Sequence, residues 1–285
     1  MTRYRKICLS IAALTSLLAI ITICYISYKP TSKNEPLDDG IYFFKCDSYL
    51  GFSSDEEISI QIPLIHYYNN EKKQSLPSFN SISLICDGNE VPVTSFLFQK
   101  GSETDKFTLY ALLIKINSMN IGTYKINNIE IENQDGEYVY PIGDWLIDVR
   151  ELEPNNDLNM GKRSSQIIGE FGSYTVELTN TLDNNIKISD MVFTLLDSYK
   201  ININSYLDFD MAKVDQDLTL LPKQTKTFRF EMQNDKVDLR KKFVLLRPFI
   251  KYKINDEEKL YLLSTCIYSP TIDENFVIDY IKNFR

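Results

Sequence analysis

The chain has 285 residues, of which 44% are apolar, 12% aromatic and 25% charged, fractions that exclude collagen-like, coiled-coil and wholly disordered classes. Basic residues number 31 and acidic ones 39, a net charge of −8 that argues against a nucleic-acid binder, whose affinity rests on neutralising phosphates. One histidine, His66, is too few for a His-based metal site or a His relay within one chain.

Residues 1–6 carry Arg3, Arg5 and Lys6, and Ile7 to Tyr28 then run without a charge. As a helix this run spans roughly 33 Å, enough for a hydrocarbon core of about 30 Å. It predicts a transmembrane signal-anchor helix over 7–28. The denser positive cluster before the run keeps residues 1–6 cytoplasmic and places the body outside the cell membrane, and Tyr25 and Tyr28 fall where aromatic belts form. Two alternatives also export the body. A cleaved signal peptide would need an apolar region of only ~7–15 residues and an A-x-A-like site, which the run lacks. Lipidation at Cys24 would follow Ile23, where a small residue is needed. Ala12 and Ser16 have small-xxx-small spacing, which permits close helix packing.

Residues 29–39, KPTSKNEPLDD, form a polar linker. Removing Arg3, Arg5 and Lys6 leaves 28 basic residues against 39 acidic ones in the body, a charge of −11 that disfavours anionic surfaces. None of the 22 asparagines begins an N-x-Ser/Thr acceptor, where chance would give about three. That pattern, with abundant Asn, Ile and Lys, points to a bacterial rather than a eukaryotic secretory source.

After Gly40 the apolar period becomes two. The strand-like series is IYFF (41–44), ISIQIPLI (58–65), SISLIC (81–86), VPVTSFLF (91–98), FTLYALLIKI (107–116), YKINNIEI (124–131) and YVYPIGDWLIDV (138–149), separated by turns such as DGNE (87–90) and QDGE (134–137). The run Ala111–Ile114 predicts a central strand buried on both faces. Pro63 and Pro92 predict edge positions or bulges. Residues 151–166 hold almost no strand formers and mark a boundary. Beyond it, Tyr174, Val176 and Leu178 alternate, and Ile186 and Ile188 lead into Met191, Phe193 and Leu195 in the opposite phase, which predicts a bulge or break. TFRFEM (227–232) alternates, and 249–254 and 259–268 flank the turn NDEE (255–258) as a hairpin. Phe276, Tyr280, Ile281 and Phe284 have helical spacing in 273–285, predicting a short amphipathic helix that caps the second half or docks a partner.

These patterns predict an all-β body: two tandem immunoglobulin-like β-sandwich domains, 40–150 and 167–285, after an N-terminal transmembrane helix, with a short C-terminal helix.

Chemistry is sparse. His66 ends an apolar strand, where a ring bonded to backbone is the expected role. Cys46, Cys86 and Cys266 lie in the body; Cys46 with Cys86 is the candidate bridge, and small buried thiols are the alternative. Cys266 sits in an alternating strand, with no feature that would lower a thiol pKa. No G-x-S-x-G, Walker A, G-x-G-x-x-G or aspartic-protease motif occurs. Trp145 reads as core. Asn155, Asp157 and Asn159 have calcium-loop spacing, but Met160 and Gln166 stand where that loop needs glycine and glutamate. In HYYNNEKKQ (66–74), Tyr67 and Tyr68 form either an exposed interface anchor or a pair with one ring in and one out. No catalytic, cofactor-binding or metal residue is assigned. The sequence therefore predicts a non-enzymatic, membrane-anchored extracytoplasmic binding or scaffold protein with a protein or envelope partner. The alternatives are an accessory subunit of a transporter-like membrane complex and a surface hydrolase using paired carboxylates.

Overall fold

Period-two burial drives most of the body into extended strands. The computed structural model describes residues 37–68, 76–153, 156–161, 173–192, 200–207, 214–215, 217–233 and 243–284, and residues 38–285 form one unit. The predicted membrane run 7–28 lies outside the described residues, among which no helix is long and apolar enough to cross a membrane.

In chain order the strands of the first half are β1 (Gly40–Phe43), β2 (Cys46–Ser53), β3 (Ile58–Tyr67), β4 (Phe79–Cys86), β5 (Asn89–Pro92), β6 (Ser95–Glu103), β7 (Phe107–Ile116), β8 (Gly122–Asn133) and β9 (Gly136–Arg150). The second half continues with β10 (Leu158–Met160), β11 (Ser173–Asn180), β12 (Ile186–Val192), β13 (Lys200–Tyr206), β14 (Val214–Asp215), β15 (Thr219–Leu220) and β16 (Thr225–Gln233). It ends with β17 (Phe243–Arg247), β18 (Phe249–Ile254), β19 (Glu257–Leu262), β20 (Cys266–Tyr268) and the helix α1 (Glu274–Phe284). The all-β expectation holds, with one short C-terminal helix.

Four sheets result, ordered β1-β3-β7-β6, β5-β4-β8-β9-β2-β17-β20, β10-β11-β16-β13-β14 and β15-β12-β18-β19. The first lies over the second, as ring contacts from Phe79 on β4 to Phe98 on β6 (5.0 Å) and from Phe43 on β1 to Tyr140 on β9 (5.3 Å) require. The third and fourth enclose a core of Tyr174, Val176, Leu178, Phe228 and Phe230 against Ile186, Ile188, Ile250 and Tyr252.

The second sheet crosses the expected 151–166 boundary. β2 pairs in parallel with β9 on one side and with β17 on the other, so a strand from the second half extends a sheet of the first. All of β2 from Cys46 to Phe52 is buried. Pro248 then separates β17 from β18, which belongs to the fourth sheet.

Turn chemistry matches the observed links. Asp87 and Gly88 have φ of 48° and 80° and close the β4–β5 hairpin, and Asn255 and Asp256, at 49° and 70°, close β18–β19. The latter loop is the two residues Asn255-Asp256 rather than four, with Glu257 already paired to Ile254, and the partner strand breaks at 263–265. β12 shifts register against β18 between Ile188 and Asp190, where the alternation slips.

Pro63 lies inside β3, which is interior to its sheet. Its carbonyl accepts from the Phe44 amide, and β1 pairs no further than Phe43 with Leu64, so the missing N–H falls where the ladder ends. VPVTSFLF divides into β5 and β6, on different sheets, because the chain turns between layers at Val93-Thr94. Cys46 and Cys86 are both buried free thiols. They sit on strands β2 and β4, three ladder steps apart, which is about 14 Å at ~4.8 Å per step and beyond disulfide reach.

The C-terminal helix packs on the first half as well as the second. Asp273 caps it, its carboxylate accepting from the Phe276 amide at 2.7 Å. Phe276 and Tyr280 meet Phe44, whose ring stacks on Phe243 at 4.1 Å. The Tyr280 hydroxyl donates to the Phe43 carbonyl (2.8 Å) and accepts from the Lys45 amide (2.8 Å). Those are backbone groups at the point where the chain leaves β1 for β2. Tyr280→Phe is expected to lower stability by about 1–2 kcal/mol, read as a lower urea midpoint at unchanged slope.

Candidate functional site

Most of the described residues that the sequence singles out for chemistry are buried in the fold. His66 is 4% exposed, edge-on to Tyr68 at 5.7 Å, and its Nδ1 has no hydrogen-bond partner. The expected bond to backbone is absent at that nitrogen. Burial lowers the His66 pKa from its ordinary 6.5, and the Asp39 charge only partly opposes this. The unfolded chain therefore takes up a proton below about pH 6.5 that the folded chain refuses. Stability should fall as pH drops from about 7 towards 5, and His66→Phe should flatten that part of the denaturation-versus-pH curve.

Burial pushes the Cys266 thiol up to about 11 and raises Cys46 and Cys86 too, which disfavours the reactive thiolate at neutral pH. Maleimide should leave all three unlabelled in the native body and modify all three after denaturation, read by mass spectrometry.

Tyr67 and Tyr68 are both buried, at 4% and 1%, which overturns both the exposed anchor and the one-in, one-out arrangement. The Tyr68 hydroxyl donates to the Thr104 carbonyl at 2.9 Å, so burial costs it no hydrogen bond. Residues 69–74 of that segment lie outside the described residues. Trp145 is core, its indole N–H donating to the Ile142 carbonyl at 2.8 Å. Of the calcium-spaced residues, Asn155 lies outside the described residues, Asn159 is in the ladder opposite Thr179, and the Asp157 carboxylate accepts from the Tyr252 hydroxyl at 3.0 Å. No group of three or more His, Cys, Asp or Glu among the described residues is placed to hold a metal ion.

Two clefts remain. One, of about 400 Å³, lies between residues 150–153 with Asp157 and the β18–β19 hairpin. Its cations face carboxylates: Arg150 to Asp148 (2.7 Å), Lys251 to Glu258 (3.4 Å) and Lys259 to Asp157 (3.5 Å). Their charge is answered internally. The other, of about 490 Å³, runs beside α1 between Phe243, Phe276 and the acids Asp47, Asp144 and Asp279. Asp144 accepts from the Asn127 side-chain amide at 2.9 Å.

The surface offers contact area of another kind. Leu97 on β6 is 63% exposed, and Val139 on β9 is 58% exposed. Sequence alternation identified neither as exposed, because a strand pattern shows which residues share a face and is silent on whether another layer covers that face. No protein-family model matches the chain, and no curated protein is similar to it in sequence.

Proposed function

We propose that the chain is a single-pass membrane-anchored, extracytoplasmic binding or scaffold protein without enzymatic activity, its body built from two immunoglobulin-like sandwiches. The observation that carries the two-sandwich part of this reading is strand order. In the first half β1-β3-β7-β6 faces β2-β9-β8-β4-β5, which in chain order corresponds to A-B-E-D against a G-F-C-C′ sheet that gains β2 at its edge. In the second half β10-β11-β16-β13 against β12-β18-β19 corresponds to A-B-E-D against C-F-G. Antibody hallmarks are missing: Trp145 is on the last strand of its half, and the described cysteines are unbridged.

The mechanism is display. The β2–β17 ladder joins the two halves into one compact unit, and the uncharged run 7–28 would tether that unit to the outer face of the membrane. A body with charge −11 favours partners with basic surfaces. The test is protease access in intact and permeabilised cells, combined with crosslinking and identification of the captured protein. Body protected in intact cells overturns the topology. A partner lost only when residues 1–28 are deleted selects the accessory-subunit alternative.

A further inference from the structure

We infer that β6 is a self-association edge, pairing antiparallel with β6 of a second copy of this chain about a two-fold axis at Leu97. Among the described residues β6 pairs only with β7, which leaves a nine-residue strand with one open side. Such an edge is a template for another strand, and folds normally blunt it.

The other described edges are blunted. β1, β5, β10, β14, β15 and β20 have four residues or fewer, β5 carries Pro92, and β19 opens on Glu257, Glu258 and Lys259. On β6 the protection covers only the far end, where Lys100 pairs with Glu103 and the register against β7 shifts between them. Ser95–Gln99, SFLFQ, has no charge, proline or bulge.

The sequence of that stretch selects the occupant. Antiparallel pairing about Leu97 sets Ser95 opposite the second copy's Gln99, Phe96 opposite its Phe98 and Leu97 opposite its Leu97. Both faces then gain matched neighbours. On the inner face Phe96 and Phe98 are half-buried, 6.2 Å apart, with Phe79 5.0 Å from Phe98 at the open rim of the two sheets. On the outer face Leu97 sits beside the half-buried Leu113 of β7, and pairing continues that apolar row into the second copy. No like charges meet. The two-fold uses up both β6 edges and leaves β1, with four residues, as the free edge of that sheet, so the assembly closes at two copies.

The test uses the full chain in membranes, with Cys8→Ser and Cys24→Ser so that oxidation reads only the introduced thiols. Directly opposite residues are about 4.5–5.5 Å apart at Cα, within disulfide range, so Leu97→Cys should give a covalent dimer on oxidation. Ser95→Cys alone should not, because its two copies would lie about 14 Å apart. A Ser95→Cys chain co-expressed with a Gln99→Cys chain should give the mixed dimer. Leu97→Lys, with far-UV circular dichroism unchanged, should weaken self-association by about tenfold or more in sedimentation of the detergent-solubilised chain. A monomer at every concentration, a Ser95→Cys homodimer as strong as that of Leu97→Cys, or bonding of Leu97→Cys to a different protein would overturn the inference.

Discussion

Replacing Gly143 by alanine is expected to destabilise the body by about 3–5 kcal/mol. Two independent costs act there. Gly143 has φ of +96°, a region open to glycine and strained for every L side chain. A Cβ at that position would also overlap the carbonyl oxygen of Cys46 and lie 2.5 Å from its amide nitrogen, and both belong to the backbone of β2. Backbone in the middle of a sheet has nowhere to move, because Cys46 pairs with Gly143 on one side and with Phe243 on the other. The substitution therefore acts on the strand that joins the two halves. Gly88→Ala is the control: its φ is +80° but nothing lies within 4 Å, so only the backbone strain of about 1 kcal/mol applies. Urea unfolding followed by Trp145 fluorescence separates the two, and equal losses would mean that the close approach of β2 contributes nothing.

Asp148→Ala should cost about 3 kcal/mol. Asp148 is 6% exposed, and its Oδ2 accepts from the Tyr49 hydroxyl (2.7 Å) and from Arg150 through Nε (3.0 Å) and Nη2 (2.7 Å). Burial and the neighbouring carboxylate together hold the Tyr49 hydroxyl pKa above its ordinary value, keeping it a donor. The Arg150 guanidinium in turn lies 5.3 Å over the ring of Phe249. Phe249 fits there because Gly51 has no side chain; a Cβ on Gly51 would stand 2.5 Å from the ring. Removing the carboxylate leaves a buried hydroxyl and a partly buried cation without their acceptor. Arg150 is a third exposed and recovers water, which keeps the loss below that of a fully enclosed pair. Tyr49→Phe should cost only about 1 kcal/mol, and the double variant should fall short of the sum, since Asp148 is the shared acceptor. Denaturation of all three variants measures the shortfall; strict additivity would mean that the two bonds act independently.

The residues that carry these effects differ in how far sequence reveals them. Tyr174, Val176 and Leu178, and the Phe–Arg–Phe of 228–230, declare their faces by alternation, and the structure buries those faces. The Asp87-Gly88 and Asn255-Asp256 links are readable because few residue pairs tolerate two successive left-handed positions. β2 is different. Its CDSYLGFS has no period-two contrast, since both faces are covered and small or polar residues serve as well as apolar ones there. The strand with the greatest structural consequence is therefore the one least visible to a pattern search.

The candidate chemistry divides in the same way. Composition alone gives the counts, one histidine and three body cysteines. That Tyr67 and Tyr68 are both buried, and that Cys46 and Cys86 stand three ladder steps apart, depends on which strands become neighbours. By itself the sequence determined the all-β character, the turns at 87–88, 134–135 and 255–256 and the C-terminal helix, because these follow from local periodicity and from the φ preferences of single residues. Only the tertiary structure decided that β17 joins β2 across the middle of the chain, that α1 seals the β1–β2 crossing, and that β6 keeps an open edge. The first two are contacts between residues roughly 200 to 240 positions apart, and all three were settled by which surfaces exclude water together, which no local window of sequence contains.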